Sequence, residues 1–237
     1  MKTTITRANE RGVANYGWLK PAHYFSFGGW HEPTKVHFGA LRVLNDDWIA
    51  GGGAFPTHPH DNMEIVTIPF TGALQHKDST GGAGIIKAGD IQIMSAGSGV
   101  QHSEANASPT EPVTLFQVWV FPKEKNITPR YDQRTFDIND RNEKWQTVVS
   151  PLDADAALWI NQDAAFSLTN RAAQQTITYQ HKFNNSGVYL VVIDGVVEVE
   201  GNKLNKRDAI GIAEVDQFDI TIHENASLLA IEVPMQF

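Results

Sequence analysis

Two short segments of the chain carry metal-ligating side chains at a spacing of two residues. His58 and His60 are separated by one residue, and so are His102 and Glu104. Side chains on a strand alternate between its two faces, so each pair projects to one side. Two such pairs on neighbouring strands could direct three imidazoles and one carboxylate at a single point, which predicts a metal site.

These ligands offer nitrogen and oxygen but no sulfur, and they suit a borderline divalent ion such as Fe(II), Mn, Ni, Cu(II) or catalytic Zn. Four protein ligands on a six-coordinate ion leave two positions for water, O2 or a chelating substrate. An open site of this kind is catalytic more often than structural. Only neutral imidazole coordinates a metal, so the affinity is expected to fall as the pH drops towards the histidine range.

The elements that must position these residues are short strands. Apolar runs that alternate or carry β-branched side chains recur along the chain, and Gly, Asn, Asp or Pro separates most of them. This pattern predicts an all-β fold, a sandwich or barrel of many strands. Pro59 cannot donate a ladder hydrogen bond, so the first histidine pair is expected on an edge strand or at the start of a strand.

The two halves of the chain resemble each other faintly. Segments 68–74 and 192–197 each place a turn glycine between apolar runs. The polar stretch Asp137–Glu143 lacks strand periodicity and is interpreted as the connection between the halves. We therefore predict two β-barrels in tandem, over residues 1–137 and 138–237.

Composition restricts the classes of function. The 237 residues include 19 basic and 27 acidic side chains, a formal net charge of -8, and no clustered basic stripe, which argues against direct binding of nucleic acid. The absence of cysteine excludes disulfides, thiolate zinc sites and iron–sulfur clusters. Neither a secretory signal nor a membrane-spanning run is evident, so we expect no membrane contact and a cytoplasmic location.

The two ligand pairs lie in stretches that resemble the two motifs of the cupin superfamily. His58-x-His60 followed by Glu64 resembles the first motif, although its glycine spacing is one residue longer than expected. The segment 89–106 is similar to the second motif, with Ser95 where proline is usual.

A denser set of motifs resembles the pirin family and covers residues 5 to about 137. These motifs are Arg7–Gly12, Trp18-Leu19, His23–Phe27, Thr57–His60, Met63-Glu64, Ile93–Glu104 and Thr128–Arg134. The resemblance implies a bicupin, two double-stranded β-helix (jelly-roll) barrels, with one Fe(II) in the first barrel; Mn, Cu, Ni and Zn are the alternatives. The metal ligands of pirins match His58, His60, His102 and Glu104.

Glu64 matches a carboxylate ligand of many other cupins, and the sequence alone does not choose between it and Glu104. Spacing favours Glu104, because on a regular strand Glu64 would lie roughly 13 Å beyond His60. We therefore expect Glu64 to orient a ligand imidazole. In the second half the positions that match the first pair hold His181 and Phe183, so we predict no metal there.

Two histidines outside the pairs have other interpretations. His76 could line the pocket or donate to a ligand, or it could be a surface histidine at a strand end. His223 is interpreted as a polar turn residue. Phe55 and Met94 flank the metal motifs and are expected to be apolar walls or core.

The resemblance implies one of two functions. Bacterial pirin-like proteins resemble quercetin 2,3-dioxygenases, which open the central ring of a flavonol with O2 and release carbon monoxide. In that interpretation the metal favours ionisation of a substrate hydroxyl group, and Glu104 acts as the general base. The alternative is an iron- or redox-sensing regulatory protein that acts through a protein partner, because the charge of the chain does not suit direct contact with DNA.

Overall fold

Strands make up nearly all the regular structure in the computed structural model, which describes residues 1–237. The strands of the first half of the chain are β1 (Lys2–Thr6), β2 (Gly12–Val13), β3 (Leu19–His23), β4 (Leu41–Ile49), β5 (Ala54–His60), β6 (Glu64–Thr71), β7 (Ala73–Asp78), β8 (Ala83–Lys87), β9 (Asp90–Ser95), β10 (Val100–Asn106), β11 (Val113–Val120) and β12 (Arg130–Thr135). Those of the second half are β13 (Gln146–Val149), β14 (Ala165–Arg171), β15 (Gln175–Gln180), β16 (Ser186–Asp194), β17 (Val197–Val199), β18 (Asn202–Leu204), β19 (Ala209–Ala213), β20 (Gln217–Ile222) and β21 (Ala226–Pro234). The short 3-10 helices are Ala8–Glu10, Ile138–Arg141 and Asp153–Asp155. None of the helices has the length and apolar character needed to traverse a bilayer.

The first half is a barrel of two antiparallel sheets. Seven strands form one sheet in the order β12-β9-β6-β11-β4-β3-β2, and four form the other in the order β5-β10-β7-β8. Strand β5 pairs only with β10. The strand that carries His58 and His60 is therefore an edge strand, which confirms the expectation from Pro59.

The second half repeats this arrangement with a six-stranded sheet, β1-β19-β16-β21-β14-β13, and a four-stranded sheet, β15-β20-β17-β18. The all-β fold of two cupin-type barrels is confirmed. Strand β1, from the start of the chain, lies at the edge of the second sheet, where Lys2–Thr6 pairs with Ala209–Ala213. The boundary between residues 137 and 138 stays a prediction.

The large sheets of the two halves contribute to one shared apolar core. A cluster of 26 buried residues combines side chains of the first half, such as Val66 and Phe116, with side chains of the second, such as Tyr189 and Leu229. On β6 and β11 these positions alternate with residues that face the interior of the first barrel. The back of the first barrel is thereby fixed against the second barrel.

Phe116 is the basis of a stability prediction, because it is fully buried in this shared core and its ring lies 4.7 Å from that of Phe70. Phe116→Ala is expected to lower the free energy of unfolding by about 3–5 kcal/mol, through lost burial and a residual cavity. Urea denaturation measures the change. Ile85→Ala, at a side chain 49% exposed, is the control and should cost less than about 0.5 kcal/mol. Equal losses in the two variants would contradict this account of the core.

The interiors of the two barrels differ in chemistry. A cluster of 16 buried apolar residues fills the second barrel. The first barrel instead carries a polar row across neighbouring strands of its large sheet, paired in register. The row consists of His23, Asn45, Gln117, Thr67 and Gln92. Polar side chains inside a barrel leave room and hydrogen-bonding capacity for a ligand, and the candidate site lies here.

Candidate metal centre

Three of the predicted ligands meet inside the first barrel. Strands β5 and β10 are adjacent and antiparallel, with His102 directly opposite His58. The His102 ring centre lies 4.3 Å from that of His58 and 4.8 Å from that of His60. One ring nitrogen from each of the three lies within 4.8 Å of the others. The structure thus brings the histidines of both sequence pairs to one point.

His58 and His102 each have a ring nitrogen available to bind a cation. His58 Nδ1 lies 2.8 Å from the carbonyl oxygen of Pro56, so Nδ1 carries the hydrogen and Nε2 keeps its lone pair. Both nitrogens of His102 are buried and have no hydrogen-bond partner. Buried polar atoms are nearly always paired, so unpaired imidazole nitrogens beside other imidazoles fit a divalent metal ion.

Two of these imidazoles, those of His60 and His102, have a pKa well below the usual histidine value. Burial, together with the neighbouring His58, lowers the pKa of His60 to about 4. Burial and the surrounding histidines lower the pKa of His102 to about 3. Protons therefore compete poorly with a metal for the nitrogens of these two residues. At His60 and His102 the expected loss of metal affinity occurs at a pH below the usual histidine pKa.

Glu104 lies beside His102 but outside the cluster of three histidines. Gln117 donates from Nε2 to both carboxyl oxygens of Glu104, at 3.1 Å each. Burial raises the pKa of Glu104 to about 7. The β10–β5 register shifts between His102 and Glu104, and both side chains line the same cavity. The role of Glu104 as a fourth ligand stays a prediction.

His76 is buried next to the site and is not a surface histidine. Its Nε2 lies 2.9 Å from Asp78 Oδ2, and its ring stacks on Tyr131 at 4.6 Å. Because a carboxylate only accepts, Nε2 carries the hydrogen, and the buried Nδ1 is left as an acceptor without a partner. A potential metal-ligating atom of His76 lies within 4.8 Å of one on His102 and one on Glu104.

This arrangement predicts that His76 supports metal binding through His102. When one nitrogen of His102 faces a cation, the other carries a hydrogen that needs an acceptor, and His76 Nδ1 is available. His76→Phe, which keeps a ring on Tyr131, should weaken the affinity for Ni(II) about 10–100-fold in a competition titration. His223→Phe is the control, since that imidazole is exposed and contacts Glu198. Unchanged Ni(II) affinity in His76→Phe would contradict a supporting role.

Glu64 does not orient an imidazole, which corrects the sequence-based expectation. Its carboxyl accepts hydrogen bonds from Ser95 Oγ at 2.8 Å and from the backbone N–H of Asn161 at 3.1 Å. The strand with the first histidine pair ends at His60, and Glu64 begins β6 in the other sheet. The alternation of faces therefore does not continue between them, and Glu64 links the first barrel to the second half.

A cavity of about 320 Å³ opens beside the histidines. Its apolar lining consists of Phe27, Phe55, Pro56, Ile65 and Trp119. Its polar lining, besides the histidines and Glu104, consists of Asn45, Asp47 and Gln117. Phe55 is thus a wall residue, as expected, whereas Met94 is buried in a small core cluster. The motifs did not include Asn45 and Asp47 on β4 or Gln117 and Trp119 on β11. The members of each pair are two residues apart, and this spacing was the sequence signal that could have placed them on one face.

The histidines of the second half have other partners. His181 Nδ1 lies 3.0 Å from Ser186 Oγ, and the buried Nε2 has no partner. The backbone N–H of Phe183 donates to the buried carboxyl of Glu232. Both clusters of potential metal ligands in the chain belong to the first barrel.

Comparisons with known proteins agree with this architecture. The family model for pirin matches residues 5–120, and the model for the quercetinase C-terminal cupin domain matches residues 147–233. The chain is 43% identical over 222 residues to the pirin-like protein of Caulobacter vibrioides, covering 93% of this chain and 95% of that protein. It is 39% identical over 230 residues to the quercetin 2,3-dioxygenase of Escherichia coli K12, covering 97% and 98%. The crystal structure of the bacterial pirin YhhW from Escherichia coli in complex with nickel(II) aligns with a TM-score of 0.92 at 37% identity, over 98% of this chain and 99% of that one.

Proposed function

This chain belongs to the pirin family, and from that premise we propose that it is a metal-dependent oxygenase that opens the central ring of a flavonol with O2 and releases carbon monoxide. The names of its relatives support quercetin as the test substrate. We propose Fe(II) as the native metal, with the ligands His58, His60, His102 and Glu104.

One observation carries the proposal: imidazoles with free nitrogens share a cavity with flat apolar walls. The cavity volume of about 320 Å³ is at the lower end of the range for small-molecule sites. Phe55 and Trp119 line it together with the histidines, and the Trp119 ring lies 4.9 Å from that of His60. A planar aromatic ligand suits such walls, because its faces bury against them while its polar groups reach the histidines.

The residues of the chain support proton transfer at the substrate. A bound divalent ion supplies Lewis acidity that favours the ionised form of a substrate hydroxyl group. A carboxyl oxygen of Glu104 accepts the proton of that hydroxyl group. Glu104 lines the same cavity as the histidines, where a general base must lie to take a proton from a substrate hydroxyl group. Gln117 holds the carboxyl of Glu104 in position. The apolar walls exclude water, which would otherwise take part in side reactions.

The test is an oxygen-electrode assay of the Fe(II)-loaded protein with quercetin. Ring opening should consume quercetin and O2 in equal amounts and release one carbon monoxide for each, at a rate well above that of free Fe(II). Stoichiometric metal binding without turnover above free iron would reject the oxygenase and leave the regulatory alternative.

A further inference from the structure

Asp47 places a second carboxyl group in the wall of the cavity. It lies on β4, lines the cavity and is 7% exposed. Its Oδ1 is shielded from solvent and accepts no hydrogen bond from the protein. Because buried polar atoms are nearly always paired, an unpaired one at a cavity indicates a partner that the protein itself does not supply.

Asp46 and Glu104, the two carboxyl groups whose charges act on Asp47, both have partners in the protein, unlike Oδ1 of Asp47. The adjacent Asp46 points to the opposite face of β4 and pairs with Arg11 at 2.9 Å and Arg207 at 3.3 Å. Glu104, also in the cavity, accepts two hydrogen bonds from Gln117. Asp47 therefore contributes to the cavity a carboxyl oxygen without a protein partner, whereas Asp46 is paired with arginines and Glu104 with an amide.

Apart from the histidines and Glu104, the polar groups that share the cavity with Asp47 belong to Asn45, Gln117 and the indole of Trp119, whose Nε1 also has no partner. Asn45, two residues before Asp47 and on the same face, has its Oδ1 engaged by His23 Nδ1 at 2.7 Å. Phe27 and Ile65 are among the apolar walls. A flat aromatic ligand with two hydroxyl groups fits this lining, because its rings bury against the apolar walls while one hydroxyl group faces the histidines and another faces Asp47.

We propose that the side chain of Asp47 hydrogen-bonds to a second hydroxyl group of the substrate, distinct from the one at the metal site, and thereby selects polyhydroxylated aromatic compounds. This inference rests on the proposed function and specifies its substrate class. A hydroxyl group can donate to a carboxylate or bond to a carboxylic acid, so the contact forms in either state. Burial raises the pKa of Asp47 to about 8, which keeps the acid form, with both a donor and an acceptor, at neutral pH.

The experiment measures flavonol binding to the Fe(II)-loaded protein without O2, so that no substrate is consumed. The ligands are quercetin and analogues that each lack one hydroxyl group other than the one on the central ring. Wild-type protein should bind one analogue at least about tenfold more weakly than quercetin, since a site built to bond a hydroxyl group rejects the analogue without it. In Asp47→Leu that ratio should fall to about one.

Two further variants and a metal assay separate this contact from other effects. Asp47→Asn keeps a donor and an acceptor and should preserve the ratio. Asp46→Asn alters the neighbouring carboxyl outside the cavity and should also preserve it. Each variant should retain one Fe per chain, which shows that the metal site is intact.

Equal binding of all analogues by the wild-type protein, or an unchanged ratio in Asp47→Leu, would overturn the inference about Asp47. If quercetin is still cleaved in that case, the proposed function stands alone. If no flavonol binds to the wild-type protein, both the proposed function and the inference that depends on it are rejected.

Discussion

Replacing His102 by alanine should abolish both metal retention and the proposed oxygenase activity while the protein stays folded. His102 is 2% exposed, and it is the one residue common to both clusters of potential ligands. Loss of a partner outside the ligand shell already weakens metal binding about 10–100-fold, so loss of a ligand should weaken it by more than about 100-fold. Metal analysis after dialysis and a quercetin assay measure the two effects, and circular dichroism checks the fold.

The matched control is His181→Ala in the second barrel. His181 also has a buried Nε2 without a partner, but its Nδ1 contacts Ser186 and it lies in neither cluster of potential ligands. This variant should keep its metal and its activity. Retention of one metal per chain by His102→Ala would show that the histidine cluster is not the binding site.

Replacing Asp47 by asparagine should remove a large dependence of stability on pH. Burial, with the nearby charges of Asp46 and Glu104, raises the pKa of Asp47 from 3.8 to about 8. The folded protein therefore binds a proton here that the unfolded chain releases above pH 3.8, so the native state is destabilised as the pH rises towards 8. Between those values the loss is about 1.4 kcal/mol for each pH unit.

Asparagine resembles the protonated acid in shape and does not titrate. Asp47→Asn should therefore match the wild type near pH 4 and be more stable by roughly 4 kcal/mol at pH 7. Urea unfolding of both metal-free proteins over this pH range gives the difference in their free energies of unfolding. Titratable groups that the two proteins share contribute equally and cancel from this difference. Asp163→Asn, at an exposed ion pair with Lys123, should change stability by less than about 0.5 kcal/mol at every pH. A constant difference between Asp47→Asn and the wild type would contradict a raised pKa.

His102 and Asp47 are both buried polar residues of the first barrel, but they have opposite consequences. The nitrogens of His102 fit a metal ion, whereas the carboxyl of Asp47 carries an energetic cost in the metal-free protein and finds no partner in the chain. A residue that destabilises the fold is retained when it serves function. The expected stability gain in Asp47→Asn and the proposed role of Asp47 in substrate selection are therefore consistent.

The sequence by itself determined the all-β fold, the edge position of the first histidine pair and the convergence of three imidazoles. These conclusions depend on local rules. Side chains alternate along a strand, and proline cannot complete a ladder, so His58 and His60 share a face whatever surrounds them. The pair on β10 follows the same alternation, and neighbouring strands bring His102 opposite His58.

Only the tertiary structure decided which side chains beyond those pairs reach the site. Glu64 follows His60 closely in sequence, but the chain crosses to the other sheet between them and turns its carboxyl towards Asn161. Asp47 and His76 enter the first barrel because of how β4 and β7 are placed in their sheets. These positions depend on which distant strands pair with each other. The spacing of residues within one strand does not reveal that pairing.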